Sequence, residues 1–468
     1  MLPDLFNHIG RYHVMIHGES DPFLARYYDF KWQLVGNLGI DLPMLVLGPV
    51  LGTELAARLL VATIPPLNVW AIYRLSRAAH GAVQPSAFLA LPLIYSFPFL
   101  HGFVNFALAS ALALLALPVW ARLSDKSWVV QVLAGCAMAL VVWVAHVAGW
   151  AILLVLAGSW ALMQAILSEG LSVRALIAAT LRVVPLAMPL VPTLLWRSGS
   201  GVALSMFSLS QKVHGVANLL RGESTALDIA SVLIILACLA WLLFDRRIIK
   251  SKPLLLGGFL LSFFVLILPS YVFSSFYADV RLLPAALTVL LISAGSLPRK
   301  AGLALAIIGC ALFVIRLGVH GWGWHERGNR IVADLHALDA VPKGARIAVI
   351  AERTLCNGWV LTGLDRVPSL AIVRISAFVN TQWDMADQQL MTPLYNKDVG
   401  YHAPPSNLLA TPGNACEGRA LGEILTTLPR KRFDYVWIFS RPAKDSRIAW
   451  LKLEAQTPDA RLYRISRR

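Results

Sequence analysis

Residues 103–121 read FVNFALASALALLALPVWA, nineteen residues without a charged side chain. A helix rises about 1.5 Å per residue, so a run of this length just crosses a hydrocarbon core of about 30 Å. Comparable runs stand at about 55–73, 85–100, 128–145, 148–166, 176–196, 229–244, 254–270, 282–297 and 301–318, which makes ten predicted spans. The composition agrees with that reading. Of 468 residues, 57% are hydrophobic and only 14% charged, where soluble domains carry about a quarter charged residues. The formal charge of +15 is concentrated in short loops between the runs, the pattern of cytoplasmic loops and not of nucleic-acid binding. The fold class is an α-helical polytopic membrane protein.

Loop charges also orient the chain. With residue 54 outside, the inside loops hold eleven Lys and Arg, among them Arg74, Arg77, Arg246, Arg247, Arg299 and Lys300, whereas the short outside loops hold four: Arg197, Lys212, Arg221 and Arg281. The positive-inside rule then puts both termini on the outer face, the periplasmic side of a bacterial inner membrane. Three regions follow: a juxtamembrane loop over 1–54, a transmembrane domain over 55–318 and a soluble extracytoplasmic domain over 319–468. An outside N-terminus is awkward to insert without a preceding span. The reading therefore expects one more apolar helix upstream of Met1, eleven spans in the full-length protein. In the alternative, 34–52 itself spans; Asn37, Asp41, Pro43 and Pro49 instead suit a segment lying along or dipping into the membrane interface.

The tail changes character. RIAVIA (346–351), SLAIVRI (369–375), DYVWIF (434–439) and RLYRIS (461–466) predict strands, and ADLHALDAV (333–341) and ALGEILTTL (420–428) predict helices, together a small α/β domain. It carries no glycine-rich phosphate loop and no GxSxG elbow, and no catalysis is assigned to it. Cys136, Cys238 and Cys310 lie in apolar runs and read as packing residues; Cys356 and Cys416 in the tail could pair in an oxidising compartment or stay free thiols.

Polar chemistry gathers ahead of the spans. Asp4, His8 and Arg11 recur at i, i+4 and i+7, one face of a helix. An outer-face carboxylate is suited to take the proton of an acceptor hydroxyl, while a nearby guanidinium holds the phosphate of a lipid-linked donor. Asp41 is a second acid close by, and Asp279 with Arg281 ends an aromatic loop, YVFSSFYADVR (271–281). Each has a plainer reading: a solvated face, a helix cap, an interfacial ion pair. His13 and His17 extend the region toward a metal site without fixing a geometry, so a divalent cation stays a candidate cofactor and no metal ligand is assigned. His101 and His146 fit as caps or carbonyl partners, and Asn105 as a hydrogen bond between helices.

PDLFNHIGRYHVM, NLGIDLP, HGFVNFALA, the Ala145-His146 pair and ADVRLLP together resemble bacterial polytopic membrane proteins of the GT-C glycosyltransferase architecture, over about residues 1–320. The resemblance implies transfer of a sugar from a polyprenyl-phosphate donor to a glycan, lipid or protein acceptor at the outer face. It implies that Asp4 is the first-loop aspartate with His8 and Arg11 beside it; Asp41, Asp279 and Arg281, from their place at the outer edge, are the candidate contacts to donor or acceptor. The first helix of that family, which precedes the aspartate, is missing from this chain. A transporter or flippase for a lipid-linked glycan is the runner-up, with Pro185, Pro189 and Pro192 in one span as its best argument. A non-catalytic envelope scaffold is the third.

Overall fold

The computed structural model describes residues 2–196, 209–272, 275–352, 358–382, 389–395, 409–410, 419–440 and 448–466. The chain is mostly helical, with a small sheet near its C-terminus. Six helices among the described residues are long and apolar enough to cross a membrane: Thr53–His80, Val104–Asp125, Trp128–Ala145, Val147–Glu169, Thr225–Phe244 and the helix beginning at Arg299. Their outer faces are apolar, as at Val129, Leu133 and Val141 on one helix and Leu303, Ile307 and Val314 on another, all more than half exposed. An apolar helix face left open this way is a lipid-facing surface. The architecture is that of a helical membrane protein.

Three more of the expected runs form shorter apolar helices, Pro85–His101, Lys252–Ile267 and Leu282–Ser293. The run at 176–196 differs most: it breaks into Val173–Val183, a 3₁₀ turn at Val184–Ala187 and Leu190–Trp196. Pro185, Pro189 and Pro192 each lack an N–H, and their rings disfavour an uninterrupted helix.

The chain divides into two compact units. The helical unit takes residues 34–40 and 60–319. Within it, residues 34–40 are extended, and their backbone bonds to the junction of two helices: Leu38 N–H to Val144 O at 2.8 Å and Val147 N–H to Gly36 O at 2.8 Å. Gly36 and Gly39 permit this approach, because a Cβ on either would come within 3.2 Å of its neighbours. Asn105 accepts from Ile40 N–H at 2.8 Å and donates to Asn37 O at 2.8 Å. It therefore fastens this extended segment, where a helix-to-helix bond was expected. His146 caps the helix Val147–Glu169 by accepting from Ala148 N–H, the plainer of its two readings.

The second unit takes residues 1–33, 41–59 and 320–468, so the N-terminal stretch and the tail belong to one compact unit. Its core is a six-stranded sheet. Arg346–Glu352 runs parallel to Tyr435–Phe439, which pairs antiparallel with Ala460–Ile465, and that strand with Leu451–Gln456. A buried run such as Ile347–Ala351 is what a strand covered on both faces requires. Three expected strands are present. The fourth, at 369–375, is instead the helix Leu370–Ile375. Its apolar run is too short to show a period, and the helix buries Leu370, Ala371 and Ile372 beside the N-terminal helix. The helix Leu421–Thr427 matches its expectation. Cys356 and Cys416 lie outside the described residues; Cys136, Cys238 and Cys310 are free thiols.

Candidate active site

The N-terminal helix spans Pro3–His17. Pro3 at its first turn supplies a fixed φ and no orphan donor, and Asp4 and His17 sit at the ends that the helix dipole favours for each charge. The helix buries Phe6, Ile9, Tyr12 and Val14 together with the polar Asn7 and Arg11. Two polar groups on a buried face need partners close by.

Arg11 finds Asp41. The guanidinium reaches both carboxylate oxygens, at 2.6 and 3.1 Å, with both side chains almost fully buried. Burial alone would lower the pKa of Arg11, but the Asp41 carboxylate outweighs it and raises the pKa. Asp41 opens the helix Asp41–Leu51, so the ion pair clamps two helices of the same unit. Gly48 lets Ile16 lie against that second helix, since a Cβ there would be 2.3 Å from Ile16 Cδ1. The opposite face of this helix leaves Leu42, Leu45, Val46 and Val50 exposed.

His8 lies one turn before Arg11, its Nδ1 3.4 Å from the guanidinium. Burial first, and then Arg11, lower its pKa to about 4. The imidazole is therefore neutral at physiological pH. Asp4 faces Arg366 at 3.1 Å, both side chains 14% exposed. Arg366 belongs to the tail, in the turn where Gly363 adopts a left-handed φ of +67 and passes Pro3 closely. Asn7 Oδ1 accepts from Ser369 Oγ at 2.6 Å, and Ser369 in turn shares a hydrogen bond with Thr381. Asp4, Asn7 and Arg11 thus each meet a partner elsewhere in the same unit, leaving one neutral imidazole and one half-buried carboxylate beside two cations.

In the helical unit, Asp279 and Arg281 do not pair with each other. Asp279 accepts from Lys212 at 2.8 Å and from Ser270 at 2.9 Å, and Lys212 also donates to the carbonyls of Val265 and Leu268. The charge at position 212 therefore secures the short helix Leu209–Ala217. Arg281 lies with its guanidinium carbon 3.9 Å from the centre of the Phe103 ring. It also lines a small pocket of about 50 Å³, together with Asn68, Ser110 and Thr288 and the apolar Ile72 and Phe106. A second ion pair, Arg316 with Asp228, is buried in this unit, with Arg316 also donating to Leu220 O at 2.9 Å.

Among the described residues no three His, Cys, Asp or Glu side chains gather as metal ligands. The His13 and His17 rings stand 4.6 Å apart, and His13 Nδ1 is 3.1 Å from Thr53 Oγ1. Asp4, His8 and Arg11 were legible from helical spacing. Arg366, Ser369, Lys212 and Arg316 were not, because each reaches its partner across a distance in sequence that leaves no periodic trace. Comparison with known protein families, curated proteins and solved structures returns no match.

Proposed function

We propose that this chain is a membrane glycosyltransferase that moves a sugar from a polyprenyl-phosphate donor onto an acceptor hydroxyl at the outer face of a bacterial inner membrane. The observation that carries the reading is the N-terminal helix, where a half-buried Asp4 and a neutral His8 lie one turn apart in a chain with six apolar helices of spanning length. Asp4 takes the acceptor proton as the glycosidic bond forms and the polyprenyl phosphate leaves, and His8 relays or orients that proton. Arg11 and Asp41 fix the helix that presents both groups. Within the helical unit taken by itself, Arg281 stands among apolar side chains, a setting that suits a prenyl-linked phosphate group; Asp279 holds Lys212 and supports the adjoining loop.

In the same reading the chain crosses the membrane ten times, with the N-terminal stretch and the tail outside. The exposed apolar face of Asp41–Leu51 lies in the membrane interface. The transporter reading keeps one specific support, the buried pairs Arg316–Asp228 and Lys212–Asp279, since ionisable groups among apolar helices often line transport pathways. Membranes containing the wild-type chain or Asp4→Asn, supplied with labelled polyprenyl-phosphate sugars, separate the two. Label transfer lost in the variant supports the transferase; label moved across the membrane equally by both supports the transporter.

A further inference from the structure

We infer that Asn7 and Gln382 form a subsite for the hydroxyl oxygens of an uncharged carbohydrate, the acceptor end of the reaction proposed above, on which this inference rests. Both side chains are more than nine-tenths buried, and among the described residues neither Asn7 Nδ2 nor Gln382 Nε2 has a hydrogen-bond partner. Buried donors without acceptors are rare and destabilising in a folded protein. Here two carboxamide nitrogens of that kind belong to one unit, next to the hydroxyls of Ser369 and Thr381, which are 2.7 Å apart. Thr381 directly precedes Gln382 in the chain, and Ser369 donates to Asn7 Oδ1.

Gly10 is the second observation. A Cβ at this position would lie 2.6 Å from Gln382 Nε2, so a glycine in mid-helix is what lets the glutamine amide reach the helix surface. Glycine there is less favourable to the helix than alanine, which makes the close approach, and not helix formation, its use. The charge pattern selects the ligand. Arg11 is matched by Asp41 and Arg366 by Asp4, so an anion would meet guanidinium groups already committed to carboxylates. Neutral N–H donors are left, and they suit hydroxyl oxygens, which accept from an amide and still carry a proton of their own. Asn7 is three residues from Asp4, neighbours on a helix surface. A hydroxyl held by Asn7 therefore lies within reach of the proposed base. The tail, which shows no catalytic motif, contributes substrate contact through Gln382.

The full chain in lipid nanodiscs, probed with the methyl glycosides of glucose, mannose, galactose and arabinose by saturation-transfer NMR, tests this. At least one glycoside binds the wild type, and Gln382→Leu weakens it about tenfold or more, while the melting temperature stays level or rises because an orphan donor is gone. Gly10→Ala, which pushes the amide away, gives the same loss and covers a failure of the first variant to fold. Absence of binding to any glycoside, or equal affinity in both variants, overturns the inference. A lower melting temperature with unchanged affinity assigns Gln382 a structural role and does the same. Glycoside binding that depends on Gln382 in a chain that consumes no polyprenyl-phosphate sugar would keep the subsite and discard the transferase.

Discussion

Replacing Asp41 by Asn leaves the Arg11 guanidinium buried without its counter-charge. The two side chains are 3% and 0% exposed and joined by contacts of 2.6 and 3.1 Å, so little water is present to take over the solvation. Breaking one side of a buried ion pair costs about 3–5 kcal/mol. For a unit of about 200 residues that corresponds to a melting temperature lower by about 10 °C. The effect is read from the thermal unfolding of purified protein in detergent, followed by tryptophan fluorescence. The double variant Arg11→Met with Asp41→Leu removes both charges and is expected to recover most of the loss, since apolar replacements of a buried pair are often near neutral. A shift below about 2 °C for Asp41→Asn, or a double variant less stable than the single one, would refute the claim that this pair clamps the two helices.

Stability should also depend on pH through His8. Its pKa is lowered from 6.5 to about 4 in the folded chain, so the unfolded chain binds the extra proton first. The contribution is fully present above pH 6.5 and is lost as pH falls from 6.5 toward about 4, an effect on the order of 2–3 kcal/mol. Denaturant titrations across that window should show the slope in the wild type and a flatter line in His8→Asn; equal slopes count against a buried neutral imidazole. Gly344→Ala should destabilise by about 3 kcal/mol. Gly344 has a φ of +73, and an added Cβ would meet the Phe23 ring at 2.0 Å. A variant that melts with the wild type would show that the turn relaxes freely.

The helices of spanning length were legible because an uncharged run of twenty residues is a local property. The limits of that signal appear at 176–196, where the apolar composition says span and three prolines say otherwise. The strand at 346–352 was legible from a buried apolar run, but a run of the same kind at 369–375 became a helix through its packing beside Pro3–His17. The candidate site divides in the same way. The spacing of Asp4, His8 and Arg11 foretold one helix carrying all three. It could not foretell that Asp4 faces Arg366 or that Arg11 takes Asp41, nor that the tail packs on this helix at all. Gly10 was the one local sign of that contact: a glycine inside a helix pattern often marks a close approach.

The central claim is tested most directly by purified chain in nanodiscs, given a panel of polyprenyl-phosphate hexoses and pentoses with a mixed glycan acceptor, with free polyprenyl phosphate measured by mass spectrometry. The account predicts release from at least one donor by the wild type and a fall of about a hundredfold or more in Asp4→Asn at an unchanged gel-filtration profile. No release from any donor, or equal release by the variant, would contradict it.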